Sequence, residues 1–117
     1  MPGFDEMYRF SARLRDFPVE ARPLIKSLMD VAGQEGEDLS KRLVPVRSGD
    51  LQRSIAYRNT TDRGWTFLMT AEATMDYATF VEYGTSRMGP RPFMEPGVQH
   101  AADEIEHLLG IMVEEYL

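Results

Sequence analysis

Ser54-IAYRNTTDRGWTFLMTAE-Ala73 is the stretch on which the fold turns. Ile55 and Tyr57 alternate with Ala56 and Arg58, and after Asp62-Arg63-Gly64 the alternation resumes, with Trp65, Phe67 and Met69 set against Thr66, Leu68 and Thr70. A period of two puts successive side chains on opposite faces of a strand, and Asp, Arg and Gly together have the chemistry of a chain reversal. Residues 54–73 therefore predict a β-hairpin.

Upstream, the period lengthens. Leu24, Leu28, Val31, Ala32, Leu39 and Leu43 form an apolar stripe, with Lys26, Asp30, Glu37 and Lys41 off it, which predicts a long N-terminal helix ended by Pro45. Pro23 is tolerable only near its start, and Gly33 and Gly36 each weaken it by about 1 kcal/mol relative to alanine. Before it, Phe4, Met7, Tyr8, Ser11 and Leu14 fall at helical spacing with Asp5 and Glu6 in the first turn, predicting a short helix broken at Pro18. Downstream of the hairpin, Tyr77, Phe80, Val81 and Tyr83 could line a helical turn or a buried strand. Gly84, which can take a left-handed cap conformation, favours a short helix there. Residues 84–96 form a loop punctuated by Gly89, Pro90 and Pro92, and Val98, Ala101, Ala102, Ile105, Leu108, Leu109, Met112 and Tyr116 then make a long amphipathic helix with an acidic outer face. The expected class is α+β, a small antiparallel sheet packed against a long N-terminal helix and a long C-terminal amphipathic helix, with residues 1–117 as one domain.

Composition narrows the function classes. At 117 residues the core is thin, and 43% hydrophobic with 27% charged residues is ordinary globular protein. Eight methionines suggest apolar area shared with a partner. The absence of cysteine excludes disulfides, thiolate nucleophiles and Cys-based metal sites, and it suits assembly in a reducing cytoplasm. Met1-Pro2-Gly3-Phe4-Asp5-Glu6 has neither the basic flank nor the apolar run of a secretory signal, and the longest apolar run, 108–113, contains Gly110, so a soluble protein with no membrane partner is expected. The net charge of −6 comes entirely from Glu95, Asp103, Glu104, Glu106, Glu114 and Glu115, since acids and bases cancel over residues 1–94. Residues 42–63, by contrast, carry five arginines against two aspartates. Opposite patches on one subunit suit head-to-tail contacts between copies, although a solvated acidic helix face is the plainer explanation of the charges alone.

Two separated segments carry a resemblance. Pro45-Val46-Arg47-Ser48-Gly49-Asp50-Leu51-Gln52-Arg53-Ser54-Ile55 resembles a Pro-Val-x-Thr-Gly-x-Leu-x-x-Ser-Ile pattern. Tyr77-Ala78-Thr79-Phe80-Val81-Glu82-Tyr83-Gly84-Thr85, continuing to Pro92-Phe93-Met94-Glu95-Pro96, resembles a Tyr-Ala-x-Phe/Tyr-Val-Glu-Phe/Tyr-Gly-Thr pattern followed by Pro-Phe-Leu-x-Pro. In that order and spacing they are similar to the minor neck proteins of long-tailed phages, the gene-ten product type of a lambdoid coliphage. Gly3-Phe4-Asp5-Glu6 also resembles the opening of these proteins. Ser48 departs from the usual threonine but keeps the hydroxyl, and Gly97 stands where alanine is common. The resemblance implies a non-enzymatic virion protein, assembled in the host cytoplasm and needing no cofactor, that forms a homo-oligomeric ring at the neck. Its partners would be the connector or stopper and the tail-tube or tail-terminator proteins, with a tail terminator or minor tail protein as the nearest alternative.

The motif residues also have readings of their own. Ser48 sits where a hydroxyl can cap a one-turn helix, with Gly49 permitting the turn, and Leu51 and Ile55, four apart, would lock that helix to the hairpin. Arg47 and Arg53 are candidate subunit contacts, because guanidinium groups bind carboxylates in a planar, bidentate way. Glu82 could accept backbone N–H groups of the following loop; as a catalytic group it lacks a partner acid, base or nucleophile. The loop from Thr85 through Arg87, Met88 and Arg91 to Pro92 offers two cations and a thioether on a proline-stiffened backbone, a contact surface or else a solvated connector. His100, Glu104 and His107 lie along one helical stripe as metal ligands would, but no motif supports a metal-dependent enzyme and a polar outer face explains them. An arginine-rich segment at 42–63 keeps a nucleic-acid-binding module in view, against the acidic balance of the chain.

Overall fold

A computed structural model describes residues 4–117, with side chains from Tyr8 onward; the resemblance at Gly3 lies outside them. The described residues run β1 (Phe4–Arg13), α1 (Arg22–Leu43), α2 (Asp50–Ser54), β2 (Ile55–Thr61), β3 (Thr66–Ala73), α3 (Ala78–Tyr83) and α4 (Met94–Tyr116). The class is α+β. The hairpin is β2–β3, with Tyr57 opposite Ala71 and Thr61 opposite Phe67. Its loop is one residue longer than the triplet suggests. Trp65 leaves the strand, adopts φ 59° and donates its N–H to the Asp62 carbonyl at 3.1 Å, while the Asp62 carboxylate accepts the Thr66 N–H at 2.9 Å.

The sheet has a third strand, in the order β1-β3-β2, all antiparallel. The short first helix expected from Phe4, Met7, Tyr8, Ser11 and Leu14 is therefore a strand. Tyr8, Phe10 and Ala12 lie across from Ala71, Met69 and Phe67 and are half-buried, whereas Arg9, Ser11 and Arg13 are exposed. This alternation coexists in the sequence with the helical spacing. What selects it is the second edge of β3, whose backbone N–H and C=O groups need partners.

Helix α1 begins at Arg22 with Pro23 in its first turn, where a missing N–H costs nothing, and ends at Leu43. Its inward face is not the expected stripe. Ile25, Met29, Ala32, Gly33, Gly36 and Ser40 are buried, while Leu24, Leu28, Val31 and Leu43 are exposed and Leu39 is half-buried. Gly36 and Ser40 face α4. A Cβ on Gly36 would lie 2.7 Å from the Gly97 carbonyl oxygen and 3.0 Å from the Ala101 methyl. Gly97 in turn faces Ser40 and Gly36, so the two helices run antiparallel and cross almost backbone to backbone. Gly36 and Gly97, which look like weak points in the sequence, are what allows this approach, while Gly33 lies against the Asn59 side chain of β2, 2.9 Å from where its Cβ would stand.

Two apolar clusters fill the space between the layers. Leu14, Phe17, Ile25, Met29, Phe67, Met69 and Ile105 belong to one, and Val44, Leu51, Ile55, Ala71, Phe93 and Met94 to the other. Tyr57 packs against both. Its N–H bonds Glu37 at 2.9 Å, and its hydroxyl lies 2.8 Å from Ser40 Oγ and 3.4 Å from the Met94 carbonyl. Burial pushes this phenol up to about 12, with the charges of Glu82 and Glu37 adding to the rise and the Ser40 hydroxyl opposing it. A raised phenol stabilises the fold fully below pH ~10, the unfolded value, and loses that contribution as pH climbs through the folded one. The expected result is an alkaline loss on the order of 2 kcal/mol between pH ~10 and ~12. Denaturant titrations across that range check it: Tyr57→Phe should flatten the fall, and an equally steep fall in the variant would assign it elsewhere.

Candidate functional site

The first motif segment leaves α1 through Val44, whose backbone is extended, and Pro45. The Gln52 amide turns back to bond the Lys41 carbonyl at 2.8 Å, tying α2 to the end of α1. Gly49 adopts φ 87°, a left-handed conformation that favours glycine, and the Asp50 N–H donates to Ser48 Oγ at 3.3 Å. Leu51 and Ile55 are both buried in the second apolar cluster. Arg53 pairs with Asp50 within its own helix, and Arg47 is exposed.

The second motif segment is organised by one carboxylate. Glu82 is 2% exposed, turned inward from α3. Its Oε1 accepts the N–H groups of Phe93 at 3.0 Å and Met94 at 2.8 Å, and its Oε2 accepts that of Glu95 at 3.0 Å. These are the first N–H groups of α4, which have no acceptor within the helix, and the fourth position is Pro96, which has no N–H to satisfy. Negative charge at a helix N-terminus is also favoured by the macrodipole. The Tyr8 hydroxyl adds a fourth bond to Glu82 at 3.2 Å and lies 3.0 Å from the Tyr83 hydroxyl, so β1 is fastened to the same point. Burial, the Tyr83 bond and the Glu82 charge together hold the Tyr8 phenol far above its ordinary value.

Between Glu82 and α4 the chain makes a tight excursion. Gly84 has φ 80° and ψ 175°, not the left-handed helical cap but an extended, positive-φ conformation open essentially to glycine alone. A side chain there would also meet Pro90 N at 2.8 Å. Thr85 Oγ1 accepts the N–H groups of Arg87 at 3.2 Å and Met88 at 3.1 Å, and the Arg91 N–H returns to the Val81 carbonyl at 2.8 Å. Arg87 and Pro92 are exposed on this loop, and Phe93 is fully buried beneath it.

The two segments, about thirty residues apart in sequence, face each other across a cleft of about 780 Å³. Pro45, Val46, Arg47, Ser48, Gly49 and Leu51 form one wall; Tyr77, Phe80, Val81, Met88 and Arg91 form the other. Val46, Tyr77, Phe80 and Met88 leave apolar surface open to solvent. Among the described residues, the polar side chains lining the cleft are those of Tyr77, Arg47, Ser48 and Arg91, with no carboxylate or imidazole. Such a surface can bind an apolar segment and neutralise acids at its margin. Of the candidate residues, Arg53 and Arg87 stand outside the cleft, Ile55 and Phe93 are core, and Glu82, Gly84, Thr85 and Pro96 shape the wall and the helix start behind it. Sequence reasoning missed Val46, Phe80 and Val81 as lining residues. Phe80 faces outward because α3 turns Ala78 and Glu82, four apart, inward, which hydropathy does not show.

A second cluster sits at the helix crossing. Ligand atoms of Glu35, His100 and Glu104 lie within 4.8 Å of one another, all exposed; His107 is not part of the group. His100 Nε2 is 3.4 Å from Glu35 and 3.2 Å from Glu104. Hydrogen bonding to Glu104 and His100 lowers the Glu35 carboxyl, and the bond to Glu35 raises that of Glu104.

Residues 8–84 match the family described as "Bacteriophage HK97-gp10, putative tail-component". The chain belongs to that family. The match runs from β1 to Gly84, about two thirds of the 117 residues, and so takes in the sheet, α1, the whole first motif and α3. No curated protein and no solved structure matches the chain. A phage tail component is a structural protein of the virion that works through contact with other virion proteins, and no helix among the described residues is long and apolar enough to cross a membrane.

Proposed function

We propose that this tail component is a subunit of a ring at the head-tail junction, where it joins the capsid connector to the tail and performs no chemistry. The observation that carries the reading is the inverted burial of α1. The helix turns its glycines, Ala32 and Ser40 inward and leaves Leu24, Leu28 and Val31, at i, i+4 and i+7, in solvent. An isolated domain gains nothing from that arrangement, whereas a subunit gains an apolar face to lay against a neighbour. The Lys26–Asp30 pair at 2.9 Å and the Lys41–Glu37 pair at 3.4 Å neutralise charge along the same helix. An apolar, charge-balanced face suits the adjoining ring of the neck, and the cationic cleft is left for another contact.

Leu28→Glu tests this. Leu28 is 38% exposed, so stability should stay within about 0.5 kcal/mol of the parent, while phage carrying the variant should accumulate unjoined heads and tails. Imaging of labelled protein on mature particles gives the location. Finding the chain away from the collar, or full infectivity with Leu28→Glu, would remove the proposal.

A further inference from the structure

The last turn of α4 and Leu117, which caps it, leave apolar side chains in solvent, with Val113, Tyr116 and Leu117 at 46%, 42% and 67% exposure. Positions i, i+3 and i+4 share one helical face, and Glu114 and Glu115 flank it. The last turn contains no basic residue, so these acids stand at the end of a helix that the macrodipole already makes negative. Cations supplied from outside would relieve both. The cleft offers the converse: Val46, Phe80 and Met88 as apolar wall, with Arg47 and Arg91 at the margin and no ionic partner for either among the described residues. Because α1 and α4 run antiparallel, the cleft lies by the start of α4 and the acidic turn at its far end, along a molecule 51 Å in its longest dimension. The helix between is rigid, so a copy cannot seat its own end in its own cleft.

We propose that the last turns of α4 from one copy dock into the cleft of the next, with Val113, Tyr116 and Leu117 against the apolar wall and Glu114 and Glu115 toward Arg47 and Arg91. This is a helix-in-groove contact between two different surfaces, so it repeats head to tail and closes where the rotation permits. It rests on the ring reading above and names the contact that builds the ring.

The chain has no cysteine, which makes a cross-linking test clean. Purified protein carrying Val46→Cys and Leu117→Cys together should, on oxidation, give a reducible ladder of dimers, trimers and larger species. Each single variant should stay monomeric on the gel, because neither position meets its own copy. In parallel, Arg47→Glu with Arg91→Glu, or Glu114→Arg with Glu115→Arg, should weaken self-association at least ~10-fold by sedimentation. All four changes in one chain should restore it, which also shows that the variants fold. The absence of a ladder, equal bridging by the single variants, or no recovery in the fourfold variant overturns the proposal. A wild-type multimer that the cysteine pair does not bridge sinks this contact alone; a chain located away from the head-tail junction sinks the functional reading and leaves the contact standing.

Discussion

Replacing Glu82 with alanine is expected to cost about 4 kcal/mol, a large part of the roughly 5–15 kcal/mol that holds a domain of this size together. Three backbone N–H groups, those of Phe93, Met94 and Glu95, would lose their acceptor at once, and the Tyr8 hydroxyl would lose its bond to the same carboxylate. Water does not reach the site easily, since Phe93 and Met94 are fully buried and Glu82 is nearly so. Each stranded donor costs on the order of 1 kcal/mol or more, and the favourable charge at the start of α4 goes as well. The melting temperature should fall by roughly 15 °C or more. Glu82→Gln separates shape from charge. Its amide oxygen can keep Phe93 and Met94, but its NH₂ group would face the Glu95 N–H, donor against donor, so a loss of about 1–2 kcal/mol is expected. Denaturant unfolding of both variants checks the order. An alanine variant melting within a few degrees of the parent would mean that the start of α4 finds other acceptors.

That carboxylate also explains how far the sequence can be read. The hairpin is legible because alternation and a turn triplet occur together, and α4 because its apolar positions are large and regularly spaced. Strand β1 misleads because Tyr8 and Ser11 fit a helical period as well as Tyr8, Phe10 and Ala12 fit a period of two. Only the free edge of β3, a feature of the assembled sheet, separates them. The inward face of α1 misleads because side-chain size is a poor guide to burial there: close helix approach buries the smallest residues and leaves leucines outside. For the cleft, the two motifs are visible as strings, but their meeting across about thirty residues depends on a buried Glu82 reaching the start of α4. A charged residue between Val81 and Tyr83 gives hydropathy no sign that it faces inward.

Gly97→Ala is the second change from which a large effect is expected, and its sign sets sequence logic against packing. In a helix, alanine is favoured over glycine by about 1 kcal/mol, so a reading of the sequence alone predicts a gain. At this position a Cβ would run into Ser40 Oγ, the Gly36 carbonyl oxygen and the Tyr57 hydroxyl, the last at 2.5 Å. Rotating Ser40 or Tyr57 away breaks the 2.8 Å bond between them, and the Gly36 oxygen is backbone, so α1 itself has to move. Overpacking of this kind costs about 1–3 kcal/mol, and loss of the buried bond adds about 1 kcal/mol, which together outweigh the propensity gain. A net loss of about 1–3 kcal/mol is expected. Gly110 is the internal control, since it lies on the same helix and a Cβ added there would meet nothing within 4 Å. There the same substitution should stabilise by up to about 1 kcal/mol. Opposite signs from one substitution at two sites on α4 would fix the helix crossing as the cause; a gain at both would mean that α1 and α4 stand further apart than a backbone contact at Gly36 and Gly97 requires.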